Sequence, residues 1–160
     1  MKVKVGIGYD IHRLVAGRPL VLGGVTIPYE RGLDGHSDAD VLLHAVCDAL
    51  LGASGQGDIG EHFSNTDEKY KNISSLALLE KVAELVKAKG YEVQHIDTVV
   101  QAEQPSIKKY KADMQANIAK RLKLTVDDVN IKATTLEGVG ALGQGEGIAA
   151  FAAATMIKRG

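Results

Sequence analysis

The sequence predicts an α+β fold, a mixed sheet with helices packed on one face. Three observations carry this. Apolar residues alternate from Lys2 to Asp10 through Val3, Val5 and Ile7, the period of a half-buried strand. Strand-like segments come first, and helical and strand-like segments then alternate. At 160 residues, with 45% hydrophobic and 24% charged residues, the chain has the size and composition of one domain burying about 70% of its unfolded surface.

Taken in order, the first strand continues through Tyr9 to Arg13, and Pro19 to Pro28 holds two short aliphatic runs around Gly23-Gly24, the pattern of a hairpin. Its flanking prolines suggest an edge. A polar turn, Asp34 to Asp38, precedes a helix over Ala39 to Ala53, with Ser37 or Asp38 as its N-cap. Gly55 to Asp67 reads as a long loop, and Ser74 to Lys89 as an amphipathic helix stopped by Gly90. Tyr91 to Glu103 is strand-like, Gln104-Pro105-Ser106 breaks it, and Ile107 to Leu122 is helical. Val129 to Leu136 is a further strand. Gly138 to Gly147 is a glycine-rich connector, and Ile148 to Lys158 is a last strand whose alanines also permit a helix.

Composition excludes several functions. With 19 Lys+Arg against 20 Asp+Glu, and no basic cluster larger than Lys108, Lys109 and Lys111, the chain lacks the charge excess of a nucleic-acid reader. Cys47 is alone, so no internal disulfide forms, and its place on an apolar helix reads as packing. No apolar run spans a bilayer, and the chain opens in strand character without a targeting pattern. Cytoplasmic residence without membrane contact is the expectation.

Asp10 and His12 lie two apart on a strand and so share a side. With His44 they would make the donor set of a catalytic zinc site with one open position, and Asp40 or Asp48, one turn away, would orient His44. An Asp-x-His pair at a strand end is more often a surface or hydrogen-bonded pair than a metal site, and spacing leaves both readings open. Gly6-x-Gly8 lacks the third glycine and following helix of a dinucleotide fingerprint. His62 and His95 have no partner at any telling spacing, and Thr134-Thr135-Leu136-Glu137 offers hydroxyls and a carboxylate that suit phosphate oxygens and a hard cation.

Together, Gly8-Tyr9-Asp10-Ile11-His12, His36 to Ala45, Gly57-Asp58-Ile59-Gly60, Lys132-Ala133-Thr134-Thr135 and Gly145-Glu146-Gly147-Ile148-Ala149 resemble the 2-C-methyl-D-erythritol 2,4-cyclodiphosphate synthase family over nearly the whole chain. The resemblance implies one synthase domain over residues 1–160, a homotrimer with active sites between subunits, and cyclisation of 4-diphosphocytidyl-2-C-methyl-D-erythritol 2-phosphate with loss of CMP. It assigns zinc, or another divalent transition metal, to Asp10, His12 and His44, and Mg2+ or Mn2+ on the substrate diphosphate to Glu137. His36 and Thr135 match transition-state stabilisers, with Ser37 beside them. Asp58, Ile59 and Gly60, and Phe63, Ser64, Asn65, Thr66 and Asp67, match loops lining the erythritol and sugar portions. Ala102, Glu103, Gln104, Pro105, Ser106, Ile107 and Lys108, with Thr134, match a cytidyl pocket read by backbone groups, in which the side chains of Glu103 and Gln104 are free to vary, and Leu136 matches a further substrate-binding position. One departure stands out: Ala141 and Gln144 replace the aromatic residue and the Arg that many members direct into a cavity on the three-fold axis. That implies no tight isoprenoid diphosphate site there. The competing expectation is a nucleotide- or metal-binding module without turnover.

Overall fold

The computed structural model describes residues 1–159. Its sheet has five strands in the order β4-β1-β7-β5-β6. β1 (Lys2–Ala16) runs antiparallel to β4 (Arg31–Leu33) and to β7 (Gly147–Lys158); β5 (Tyr91–Gln101) is antiparallel to β7 and parallel to β6 (Val129–Thr134). The mixed sheet follows from connectivity. β5 and β6 are joined by a crossover through α4 (Lys111–Leu122), as a parallel pair requires, whereas the other neighbours meet head to tail. β2 (Leu20–Leu22) and β3 (Val25–Ile27) form a separate two-stranded ribbon, so the hairpin is correct but is no edge of the main sheet. Gly23 and Gly24 sit at φ 58° and 75°, the left-handed pair that a two-residue turn demands.

α1 (Val41–Ala53) lies along β1 and β7, α3 (Ser75–Ala88) packs on α1, and α4 packs on α3 and β6. Eleven residues of α1 are buried, from Val41 to Ala53, with the Cys47 thiol among them. The cap of α1 is Asp40, whose side chain accepts from Leu43 N–H, rather than Ser37 or Asp38. Those two are committed elsewhere: Ser37 Oγ accepts from Ala39 N–H, and Asp38 from Asp40 N–H and Ser75 N–H.

Other boundaries shift for similar reasons. The loop after α1 contains α2 (Ile59–His62), capped by Asp58, and the glycine-rich connector contains α5 (Gly140–Gly143). β6 ends at Thr134 instead of Leu136, because the Leu136 N–H is taken by the Glu103 carboxylate at 3.0 Å. A 3-10 turn, Lys108–Tyr110, precedes α4, so the helix opens later than its composition suggests. β7 is a strand throughout: it is paired on both sides, and its alanines leave room for α1.

The far side of the sheet is uncovered. Val3, Val5, Ile7, Tyr9 and Ile11, the odd-numbered residues of β1, are exposed, Ile7 by 77%, and Phe151 of β7 joins them with its ring centroid 4.6 Å from that of Tyr9.

Candidate metal and nucleotide site

Alternation on β1 turns Gly6, Gly8, Asp10 and His12 toward the helices. The first two glycines, without the dinucleotide role their spacing hints at, set the approach of α1. A Cβ on Gly8 would lie 1.9 Å from the carbonyl oxygen of Ala45, and one on Gly6 2.0 Å from that of Ala49. Strand and helix backbones therefore touch, and one turn into α1 the imidazole of His44 reaches Asp10. His44 Nδ1 is 2.9 Å and His12 Nε2 3.1 Å from Asp10 Oδ2. The ligating atoms of the three residues all lie within 4.8 Å of one another.

The donor set fits a divalent transition ion. His12 Nδ1 is 2.5 Å from the carbonyl oxygen of Asp34, which only accepts, so Nδ1 carries a proton and Nε2 is the nitrogen that would offer its lone pair to an ion on giving up the proton it shares with Asp10. Two imidazole nitrogens and a carboxylate oxygen, all electron-rich, then face one point and call for a cation there. Burial pushes the Asp10 carboxyl up, but the hydrogen bonds and charges of His12 and His44 outweigh it and hold it at about 2. The His12 imidazole is pushed up from its ordinary value, mainly by its hydrogen bond to Asp10 and against the opposing effect of burial.

Around the triad is a cleft of about 380 Å³, lined by His36, Ser37, Ile59, Gly60, Phe63, Ser64 and Asn65 among the expected residues, and by Gly35, Tyr70, Ile73 and Leu78, which sequence reasoning missed. His36 Nε2 donates to the carbonyl oxygen of Asp67 at 2.9 Å, which ties the 64–67 loop across the cleft. Thr66 bonds Ser64, hydroxyl to hydroxyl, at 2.8 Å. Arg18 donates to the carbonyl oxygens of Gly35 and Ser37 at 3.0 and 2.8 Å and fixes the loop beneath.

The expected orientation of His44 by Asp40 or Asp48 is not what the chain does. Asp40 accepts from Gly23, Gly24 and Leu43 N–H groups, at 3.0, 2.8 and 3.0 Å, and so ties the hairpin to α1; burial pushes its carboxyl up to about 6 against those donors. Asp48 accepts from Ile59 N–H at 2.8 Å and anchors α2. The partners of the outer nitrogen of His44 are Ser37 and Ser75, and no spacing signal links Ser75 to a residue 31 positions earlier. His62 donates to the carbonyl oxygen of Gln56, and His95 lies exposed on β5.

The remaining expected residues gather elsewhere. Ala102 to Lys108, Thr134 to Glu137, Ala141 and Gln144 follow or adjoin the ends of β5 and β6. In register, Ile11 is level with Ala149, Gln101 and Thr134, three strands away, about 14 Å at ordinary strand spacing. Within one chain, then, Thr135 and Glu137 do not line the cleft of the triad. There Thr135 Oγ1 donates to Glu137 Oε1 at 3.5 Å, Glu137 sits at φ 52°, and Gln144 donates to the carbonyl oxygen of Gly138 at 2.7 Å. Nor is the Glu103 side chain idle: its carboxylate accepts from Leu136 and Gly138 N–H at 3.0 and 3.3 Å, bracing the loop that carries Glu137. Pro105, Ser106 and Lys108 line a wider groove of about 630 Å³ with Ile27, Pro28, Lys109 and Tyr110.

Residues 3–157 match the model of the YgbB family. A 2-C-methyl-D-erythritol 2,4-cyclodiphosphate synthase of Alkaliphilus oremlandii is 56% identical over 156 residues, 98% of this chain and 99% of that protein. A solved bifunctional IspDF from Campylobacter jejuni superposes with a TM-score of 0.93 at 43% identity; the match covers 97% of this chain and 42% of that longer one. A Plasmodium falciparum IspF in complex with CDP superposes with a TM-score of 0.87 at 30% identity, covering 99% of this chain and 97% of that one.

Proposed function

The chain belongs to the YgbB family, and from that premise we propose how its residues perform the reaction for which its relatives are named. It is a phosphorus–oxygen lyase of non-mevalonate isoprenoid biosynthesis, which cyclises 4-diphosphocytidyl-2-C-methyl-D-erythritol 2-phosphate to the 2,4-cyclodiphosphate and CMP. An oxygen of the 2-phosphate attacks the β-phosphorus, a new P–O–P link closes the ring, and the bond from that phosphorus to the bridging oxygen breaks, leaving the oxygen on CMP. Both reacting groups belong to one molecule, so the protein's task is to hold them in line and neutralise charge.

Asp10, His12 and His44 would hold zinc or another divalent transition ion, and Glu137 would hold Mg2+ or Mn2+; these ions supply Lewis acidity toward the crowded phosphates. His36 and Thr135 donate hydrogen bonds to phosphate oxygens as charge builds, with Ser37 beside them. Asp58 to Gly60 and Phe63 to Asp67 enclose the erythritol and sugar portions. Ala102 to Lys108, with Thr134, take the cytosine through main-chain groups, in keeping with the CDP held by the Plasmodium falciparum relative, and Leu136 is a further substrate contact.

The two halves come together if a neighbouring copy supplies the second, and the homotrimer proposed here does that. The exposed apolar row Val3, Val5, Ile7, Tyr9 and Ile11 supports it, since such a contiguous patch marks an association surface. Residues 1–160 then act as one synthase domain. With Gln144 bonded to Gly138 and Ala141 beside it, the axis has no Arg for an isoprenoid diphosphate, and farnesyl diphosphate should show no saturable micromolar binding there. Among the described residues no helix is long and apolar enough to cross a membrane, which agrees with a cytoplasmic site of action.

The observation that carries this reading is the converging triad. CMP release from the cytidyl diphosphate substrate should vanish with chelator and return with zinc plus magnesium. Binding of CDP without CMP release under those conditions would leave only a binding module.

A further inference from the structure

His44 is held at its outer nitrogen as well as its inner one. Nε2 lies 2.9 Å from Ser75 Oγ and 3.2 Å from Ser37 Oγ, and Ser75 has no solvent exposure. A hydroxyl and a neutral imidazole nitrogen can each donate or accept, so the direction of these bonds is set by what lies behind them. Behind Ser75 is Asp38. Its carboxylate takes the Ser75 hydroxyl and the Asp40 N–H, at 3.2 Å, on one oxygen, and the Ser75 N–H, at 2.9 Å, on the other. Facing three donors, a carboxylate accepts from all of them. Ser75 has a single proton and gives it to Asp38, so its oxygen has only lone pairs left for His44. A 2.9 Å contact then requires the proton on Nε2. Ser37 Oγ, already accepting from Ala39 N–H at 3.1 Å, faces the same N–H and keeps its own proton for the cleft.

We infer that Asp38 and Ser75 form a proton-ordering relay, Asp38 accepting from Ser75 and Ser75 from His44 Nε2–H, which keeps a proton on Nε2 and leaves Nδ1, the nitrogen facing Asp10 and His12, as the one an ion would take. The inference deepens the proposed function and rests on its reading of the triad as a metal centre. At His12 a backbone carbonyl does the same work; at His44 it falls to two side chains, one on the approach to α1 and one opening α3. Ser75 and Asp38 are thus positioning residues that reach the chemistry only through His44.

The test is a set of 15N spectra of histidine-labelled, metal-free protein, read with zinc affinity by competition against a chromophoric chelator. In the wild type His44 should show a protonated Nε2. Ser75→Ala leaves Asp38 its two backbone donors, so the fold is retained, but frees Ser37 to donate to Nε2. His44 should lose the proton on Nε2 and keep the one on Nδ1 that pairs with Asp10, and zinc should bind about 10–100-fold more weakly. CMP release should recover at saturating zinc with an unchanged KM, a response that simple loss of packing would not give, and Ser75→Thr should restore the wild-type spectrum. A wild-type Nε2 without a proton overturns the inference with no substitution needed. So does Ser75→Ala with an unchanged tautomer and affinity, or a tautomer switch in Ser37→Ala instead. If the wild type binds no zinc at all, the metal reading fails, and the metal-free spectra still judge the relay.

Discussion

The β1 side of the sheet and the β6 side hold their chemistry in opposite states of completion. Asp10, His12 and His44 converge within 4.8 Å, braced from outside by Asp34 and Ser75. Thr135 and Glu137 stand exposed beyond the end of β6, linked by one 3.5 Å bond and braced through the Glu103 carboxylate on the backbone. One region is pre-organised within the chain, and the other stands exposed, as the proposed site between neighbouring copies would require. In the proposed shared site, pre-organisation is thus divided unequally between the two regions.

The sharpest way to test that division is to disable each half alone. His44→Ala should lower zinc affinity and CMP release by more than the roughly 100-fold typical of residues that only support a ligand, while circular dichroism stays unchanged. Thr135→Ala should lose turnover and keep full zinc stoichiometry by elemental analysis. Next in size comes recovery on mixing: dissociated and reassembled one to one, these two variants should regain about a quarter of wild-type activity, by random assortment around a ring. No recovery would place both halves in one chain and end the shared-site reading.

Gly8→Ala attacks the pre-organised half from beneath. Its methyl would overlap the Ala45 carbonyl, so α1 must lift from β1, at a cost of about 1–3 kcal/mol in chemical denaturation, and His44 should withdraw from Asp10 with a matching drop in zinc affinity. The β6 half should not respond.

The smallest effect is in pH. Asp10 is held below its ordinary 3.8, at about 2, so the stability it contributes to the metal-free protein is complete above about pH 4 and lost as pH falls toward 2. This amounts to about 2 kcal/mol. His12 is raised above 6.5, and its share is complete below that value and lost as pH rises through its folded value. Urea titrations of metal-free wild type and Asp10→Asn should therefore converge as pH falls from about 4 toward 2, differ fully between about pH 4 and 6.5, and differ less once pH passes the raised value of His12.

Local patterns in the sequence reach the elements and one half of the triad. Alternation places Asp10 beside His12, and Gly23-Gly24 gives the hairpin, because both rest on neighbours in the chain. What joins His44 to them is the contact of α1 with β1, for which Gly6 and Gly8 are the only trace, and those glycines invite a nucleotide reading before a packing one. The separation of Thr135 from the triad depends on β7 and β5 lying between β1 and β6, a consequence of non-local pairing that no window of residues encodes. Asp38 and Ser75 are hidden for the same reason: they meet across 37 positions.

The first strand obeys a two-beat rhythm with consequences for engineering. Its even beats carry Asp10 and His12 and its odd beats the greasy side chains, so a deletion of one amino acid between Val5 and Tyr9 would swap their sides at a stroke. In the proposed function catalysis and self-assembly would fail together, and a single compensating insertion before Tyr9 would restore both, because one alternation governs the two faces.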